Sequence, residues 1–429
     1  DVYKRQPLQP RSRHTRHPLT LRGVALLADT LPFMVLSLIG AGLLLLGTVA
    51  AVTGLLPLPE LLVLVDRVAP ILVFVVAMTV VTELCSEAGV FRWIARRLRH
   101  WGGGRAWLLW LWVAGIAIVT TVFLSFDTTA VLLTPVVVVV ARQAGLPPLP
   151  FALTTVWLAN TGSLLLPISN LTNLLAQNRL GGISPIAFAG LTAAPALVAV
   201  VVPMAMVAIV FRKDLGKRYS SVPVQRMRVA GTSGAVASVD RVLLGTSALV
   251  LAALLPALVV GVPVWLPSSI AALVLAVVFF VRRQSVLRMT LIPWSLLLFS
   301  GGLFLAMEAL QNLGLPVLLT ALAGAGNAPR DLFRLAGTSL VGSNLTNNLP
   351  AYLALEPVAD STPRLLAVLI GANVGPLVTP WASLATLLWH SRLEKMNVLI
   401  PWRGYALFGL VLAPVTVGLS VLTMILVTA

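Results

Sequence analysis

Uncharged apolar stretches recur from one end of the chain to the other, at residues 34–52, 68–82, 185–211, 242–262 and 405–427 among others. That pattern confines the chain to a lipid bilayer. Most of these stretches are long enough to cross a ~30 Å hydrocarbon core as helices, and the shorter ones suit partly buried or re-entrant segments. A barrel would instead show short alternating segments. Only 10% of the 429 residues are charged, against about 25% in a soluble domain, too few to cover a water-facing surface. The expected fold is all-α and polytopic, with about nine to eleven transmembrane helices.

A net charge of +16 invites a nucleic-acid reading, but its distribution opposes one. Lys and Arg gather in 1–22, 92–105 and 212–241 and at Arg282, Arg283 and Arg288. These are short connections between apolar stretches, which the positive-inside rule assigns to the cytoplasm. The N-terminus is therefore expected inside, in the cytoplasmic membrane, with the basic tail leading into the first span rather than into a cleavable signal. Cys85 is the one cysteine, so an intramolecular disulfide and a multi-cysteine metal site are excluded, and a packing role is expected of it. No cofactor or metal is expected. There is no G-x-x-x-x-G-K-[ST] loop, so energy must come from a gradient or a separate ATPase.

With the tail inside, a span over 25–54 exits through a turn at 57–60, and the next returns to the basic 92–105 loop. The run WIARRLRHW at 93–101 should lie in the interface. Two apolar arms then flank Ser125-Phe126-Asp127-Thr128-Thr129. As two full spans they would leave Asp127 outside; as a re-entrant hairpin they hold it near mid-membrane. The short second arm and polar tip favour the hairpin. Residues 151–178 and 185–211 cross next. After 212–241 come spans at 242–262, 267–281 and 292–313, a second hairpin at 332–355, and spans at 364–391 and 404–427. The expected organisation is a basic tail (1–22), a first transmembrane repeat (23–211), a cytoplasmic linker (212–241) and a second, inverted repeat (242–429).

Three ungapped matches support the repeat. Residues 83–89 align with 308–314 at an offset of 225, 126–132 with 347–353 at 221, and 159–167 with 372–380 at 213. The related spans run in opposite directions, and inverted repeats with broken helices belong to secondary transporters. Each N-x-G-x-x-x-x-P block suits a helix that stops and restarts: Gly relaxes the backbone and Pro removes a donor. The pentapeptide SNLTN occurs at 169–173 and 343–347. Its copies lie 174 residues apart, off the repeat register, so they are not symmetry mates.

Polar side chains cluster at all four expected breaks. Asn160, Ser169, Asn170, Thr172, Asn173, Ser343, Thr346, Asn347, Asn348 and Asn373 are candidates for a hydrogen-bonding site. The competing expectation is that they cap broken helices or bridge neighbouring ones. Asp127 is the candidate for proton or cation coupling, since an acid inside the bilayer costs about 2.5–3.5 kcal/mol on insertion scales. Glu83 and Glu308 share a register near span ends, where interfacial pairing is expected, and Glu87 is expected to be solvated.

Through ELCSEAGVFRWIARRL, FDTTAVLLTP, NTGSLLLPISNLTNLL, TNNLPAYL and GPLVTPWASLATLLW, residues 66 to the C-terminus resemble the arsenical pump membrane protein family of the ion transporter superfamily. The resemblance places hairpin tips at 125–129 and 343–350 and unwound helices at 160–173 and 373–383. It adds Ser125, Thr128, Thr129, Thr161, Asn344, Thr379 and Ser383 to the substrate- or ion-binding set. It implies export of arsenite and antimonite, a small inorganic substrate, in exchange for protons. It also implies a homodimer in the lipid bilayer, and a soluble arsenite-stimulated ATPase as a possible partner. Sodium-coupled uptake of a carboxylate or inorganic anion, or cation/proton antiport, is the alternative on this scaffold. The first tip departs from the family at Phe126 and Thr128.

Overall fold

The computed structural model describes residues 37–219 and 240–428. The basic tail, the start of the first span and most of the 212–241 linker lie outside them. Among the described residues the secondary structure is helical, apart from one isolated bridge between Arg105 and Arg218. Seven helices among the described residues are long and apolar enough to cross a membrane, two of them the arms of the first hairpin described below.

Helix Leu58–Ala88 sets the frame. At 31 residues and 1.5 Å per residue it is about 46 Å long, more than enough to reach across a ~30 Å hydrocarbon core. The expected external turn at 57–60 is instead the helix start: Pro57 is the N-cap and Glu60 sits in the first turn, where a missing N–H costs nothing and an acid suits the helix dipole. Gly89 ends the helix at φ 91°, a left-handed conformation that glycine adopts without a Cβ clash. Gly314, its partner at offset 225, ends helix Trp294–Asn312 at φ 90°. Sequence register and backbone conformation thus coincide.

The basic stretch expected as a loop is largely a helix, Val90–Trp101. It packs on residues 134–143, the open end of the first hairpin, so that hairpin enters from the end where Leu58–Ala88 finishes. Arg67, near the other end of the same long helix, is ion-paired with Glu356 at the open end of the second hairpin. The two hairpins therefore enter from opposite ends.

The first hairpin is Ala106–Leu124 and Phe126–Gln143; the second is Pro329–Leu345 and Asn348–Leu355, starting three residues earlier than expected. Two interrupted helices complete the centre: Leu149–Thr161 with Leu171–Arg179, and Thr362–Val374 with Leu384–Lys395. Around them Pro185–Val210 packs along Trp402–Thr428, and Leu58–Ala88 along Trp265–Arg283. Helix Ser37–Val52 lies against Trp294–Asn312 so closely that a Cβ on Gly40 or Gly302 would strike backbone. Small residues permit such approach between membrane helices.

Candidate functional site

The interruptions follow from local chemistry. Leu166 and Thr379 precede Pro167 and Pro380 and are extended (φ −119°, ψ 152°; φ −99°, ψ 151°), because the proline ring disfavours the helical region for the residue before it. Helix resumes at Leu171 and Leu384. The unwound stretches are therefore 162–170 and 375–383, narrower than expected, and Asn160, Thr161 and Asn373 sit in the last helical turns before them.

At the first tip the break falls on Ser125, at φ 113°, a strained value for a side-chain-bearing residue. Its hydroxyl donates to Thr128 Oγ1 (3.1 Å) and accepts from Thr128 N (3.3 Å). Across the tip, Thr121 Oγ1 donates to Thr129 Oγ1 and Thr129 Oγ1 to Thr120 Oγ1, both at 2.9 Å. The second arm then opens with a π-helical turn over Thr129–Leu133, a distortion that recurs at functional sites. This tip joins a first arm that packs on 162–164 and 167–169 to a second arm that opens against Leu149–Thr161 and Leu384–Lys395. It thus lies at the level of the breaks, midway along the interrupted helices, as a re-entrant hairpin requires.

A hydrogen-bond network joins the breaks. Ser169 Oγ donates to Val122 O (2.9 Å), tying the first break to the first hairpin. Asn173 Nδ2 donates to Ser163 O (2.7 Å) and Leu166 O (2.9 Å), carbonyls freed by the interruption. Asn373 accepts at Oδ1 from Asn170 Nδ2 (3.1 Å) and Thr172 Oγ1 (2.6 Å), and donates from Nδ2 to Asn173 Oδ1. At the symmetry-related place, 213 residues away, Asn160 Nδ2 reaches Thr386 Oγ1 at 3.4 Å.

Asn344 organises the second break. Its amide donates to Gly375 O (2.9 Å), its Oδ1 accepts from Val378 N and Thr379 N (3.1 Å each), and its carbonyl accepts from Thr379 Oγ1 (2.7 Å). Asn347 and Asn348 both accept from Leu349 N, capping the second arm, and Asn347 Nδ2 donates to Trp381 O. Thr346 bonds within its own helix, to Gly342 O. The two SNLTN copies thus do the same work at different breaks, supplying amides to backbone that has left its helix.

Several buried side-chain polar atoms find no hydrogen-bond partner among the described residues, and four of them belong to residues at or beside the tips and breaks: Asp127 Oδ1, Thr161 Oγ1, Ser343 Oγ and Ser383 Oγ. They come from both hairpins and both interrupted helices, and a fifth such atom, Trp157 Nε1, lies deeper in Leu149–Thr161. No Lys or Arg occurs in the tips 125–129 and 343–350 or in the unwound stretches 162–170 and 375–383.

Sequence reasoning missed several buried polar groups. Glu356 is 4% exposed, pairs with Arg67 and accepts from Tyr352 Oη at 3.1 Å. Arg364, 1% exposed, donates to the carbonyls of Gly324, Gly326 and Val358 and lies 3.1 Å from Asp360. Neither Arg67 nor Glu356 has a polar counterpart in the repeat, so no internal match marked them; Thr386 was available as the partner of Asn173 at offset 213. Glu87, expected in solvent, is half-exposed and lies 3.4 Å from Arg283. A cavity of ≈ 370 Å³ beside Arg67 is bordered by Asp66, Gln177, Asn178 and Ser184.

Residues 24–386 match the CitMHS family, described as citrate transporters. The chain is 29% identical over 362 residues to the arsenical pump membrane protein of Escherichia coli, covering 79% of this chain and 81% of that one. The arsenical pump membrane protein of Yersinia enterocolitica matches at 29% over 364 residues, with the same coverage. The crystal structure of the Alcanivorax borkumensis YdaH transporter superposes with a TM-score of 0.53 at 18% identity, covering 92% of this chain and 98% of that one. That likeness speaks to the fold.

Proposed function

Because this chain belongs to the CitMHS citrate transporter family, a family of multi-pass membrane transporters, we propose that it exports arsenite and antimonite in exchange for protons. The observation that carries this reading is a set of four buried, unpartnered polar atoms at or beside the tips and breaks, drawn from both hairpins and both interrupted helices. Buried polar groups require partners, and three of these four are neutral hydroxyls. Arsenite near neutral pH is chiefly an uncharged trihydroxide, which offers donors and acceptors and asks for no countercharge. A di- or tricarboxylate would call for cations, and the breaks present none. The fourth atom belongs to Asp127, a carboxylate that can carry the exchanged proton. The arsenical pump relatives at 29% identity favour the same substrate.

Expression in an arsenite-sensitive host tests the proposal: cellular arsenic should fall when the protein is in the membrane. Unchanged accumulation, with membrane insertion verified, would sink it. The family's citrate description supports a second reading, sodium-coupled anion uptake with the Asp127 carboxylate as part of a cation site. Proteoliposome uptake that requires a sodium gradient would select that reading.

A further inference from the structure

The transport reading leaves helix Val90–Trp101 without a task, although its two faces differ sharply. Val90, Phe91 and Leu98 are buried against the first hairpin and the long helix. Arg92, Trp93, Arg96, Arg97 and Trp101 are exposed on the other side. The Arg97 guanidinium lies 5.5 Å from the centre of the Trp93 ring, and neither Arg92, Arg96 nor Arg97 makes an ion pair among the described residues.

Two further observations say what covers this face. The Trp101 ring lies 5.1 Å from that of Trp112 on the first hairpin, and Trp112 continues into exposed Trp107 and Leu111. The charged face is therefore continuous with an exposed apolar, tryptophan-bearing surface, the combination that membrane–water interfaces favour. Beside it, the isolated bridge sets Arg105 opposite Arg218, both exposed. Like charges directly opposite one another are unfavourable. The adjacent acid, Asp214, is taken by Lys217 at 2.7 Å. An anion beside the pair removes that penalty.

We propose that this end of the molecule binds anionic phospholipid headgroups. Arg96, Arg97, Arg105 and Arg218 hold phosphate, while Trp93 and Trp101 sit at the boundary between headgroups and acyl chains. Amphipathic helices with arginine on one face and tryptophan at the margin bind anionic membranes in this way, and arginine serves phosphate through its planar fork of donors. An acidic soluble protein would match the charge but leave the tryptophan row, which runs on into the bilayer, without a purpose.

The experiment uses the full chain, purified in detergent and mixed with phosphatidylglycerol or phosphatidylcholine, with retained lipid counted by native mass spectrometry. Phosphatidylglycerol should be retained in preference, and the preference should fade as salt rises. Replacing Arg96→Gln and Arg97→Gln together should weaken retention by about fivefold for each charge removed. Trp93→Ala should weaken both lipids alike. Both sites are on the surface, so folding is checked by an unchanged unfolding temperature. Equal retention of the two lipids by the wild-type chain, or full retention by the double variant, would overturn the proposal.

Discussion

Asn373 donates its side-chain amide to Asn173 Oδ1, so the last turn before one break is pinned to the first turn after the other. The same carbonyl oxygen of Asn373 accepts from both Asn170 and Thr172. One side chain therefore satisfies or is satisfied by three residues of the opposite repeat, all of them buried.

Asn373→Ala leaves the Asn170 amide, the Thr172 hydroxyl and the Asn173 carbonyl short of a partner, at about 1–3 kcal/mol for each buried group. Thermal unfolding in detergent should show a large loss. In a double-mutant cycle with Asn173→Ala the two changes should be non-additive by about 0.5–3 kcal/mol, whereas additive effects would mean that the contact carries no energy.

Ser343→Ala and Ser383→Ala should behave in the opposite manner. Their hydroxyls have no partner among the described residues, and removing an unsatisfied buried polar atom is near neutral or mildly stabilising. Stability should stay within about 0.5 kcal/mol, while the KM for arsenite rises. A stability loss without a transport effect would assign these hydroxyls to the fold alone.

Asp127→Asn keeps the size of the side chain and removes its charge. Under the exchange proposal, arsenite flux should fall by about tenfold or more, the loss of at least ~1.4 kcal/mol of coupling, and should cease to respond to an imposed pH gradient. Wild-type pH dependence in the variant, measured in proteoliposomes, would remove Asp127 from the coupling step.

The Arg67–Glu356 pair joins the long helix to the second hairpin with Glu356 4% exposed. Arg67→Met strands the buried Glu356 carboxylate and should cost about 3–5 kcal/mol, Glu356→Gln leaves only the quarter-exposed Arg67 unpaired and should cost less, and replacing both by apolar residues should recover most of the loss. Unfolding temperatures of the two single variants and the double variant decide it.

Much of this protein was determined by sequence. Apolar length forces backbone groups to pair within helices, because a hydrocarbon core offers them no water. Gly and Pro inside such stretches mark where that pairing must stop. The inverted correspondence was legible for the same reason: residues 83–89 and 308–314 end in glycines whose left-handed turns agree within a degree in φ.

Only the tertiary structure decided which polar residues the breaks consume. Asn173 and Asn344 looked alike in identical pentapeptides, yet each serves a different break, and Asn373 turned out to be a pin between repeats. Asp127, Thr161, Ser343 and Ser383 were left over. The sorting depends on which freed carbonyl or amide lies within about 3 Å, and hydrogen bonds weaken too steeply with distance and angle for spacing along a chain to predict it. The Arg67–Glu356 pair was hidden for a related reason: its members are 289 residues apart, and the packing of a long helix on a hairpin brought them together.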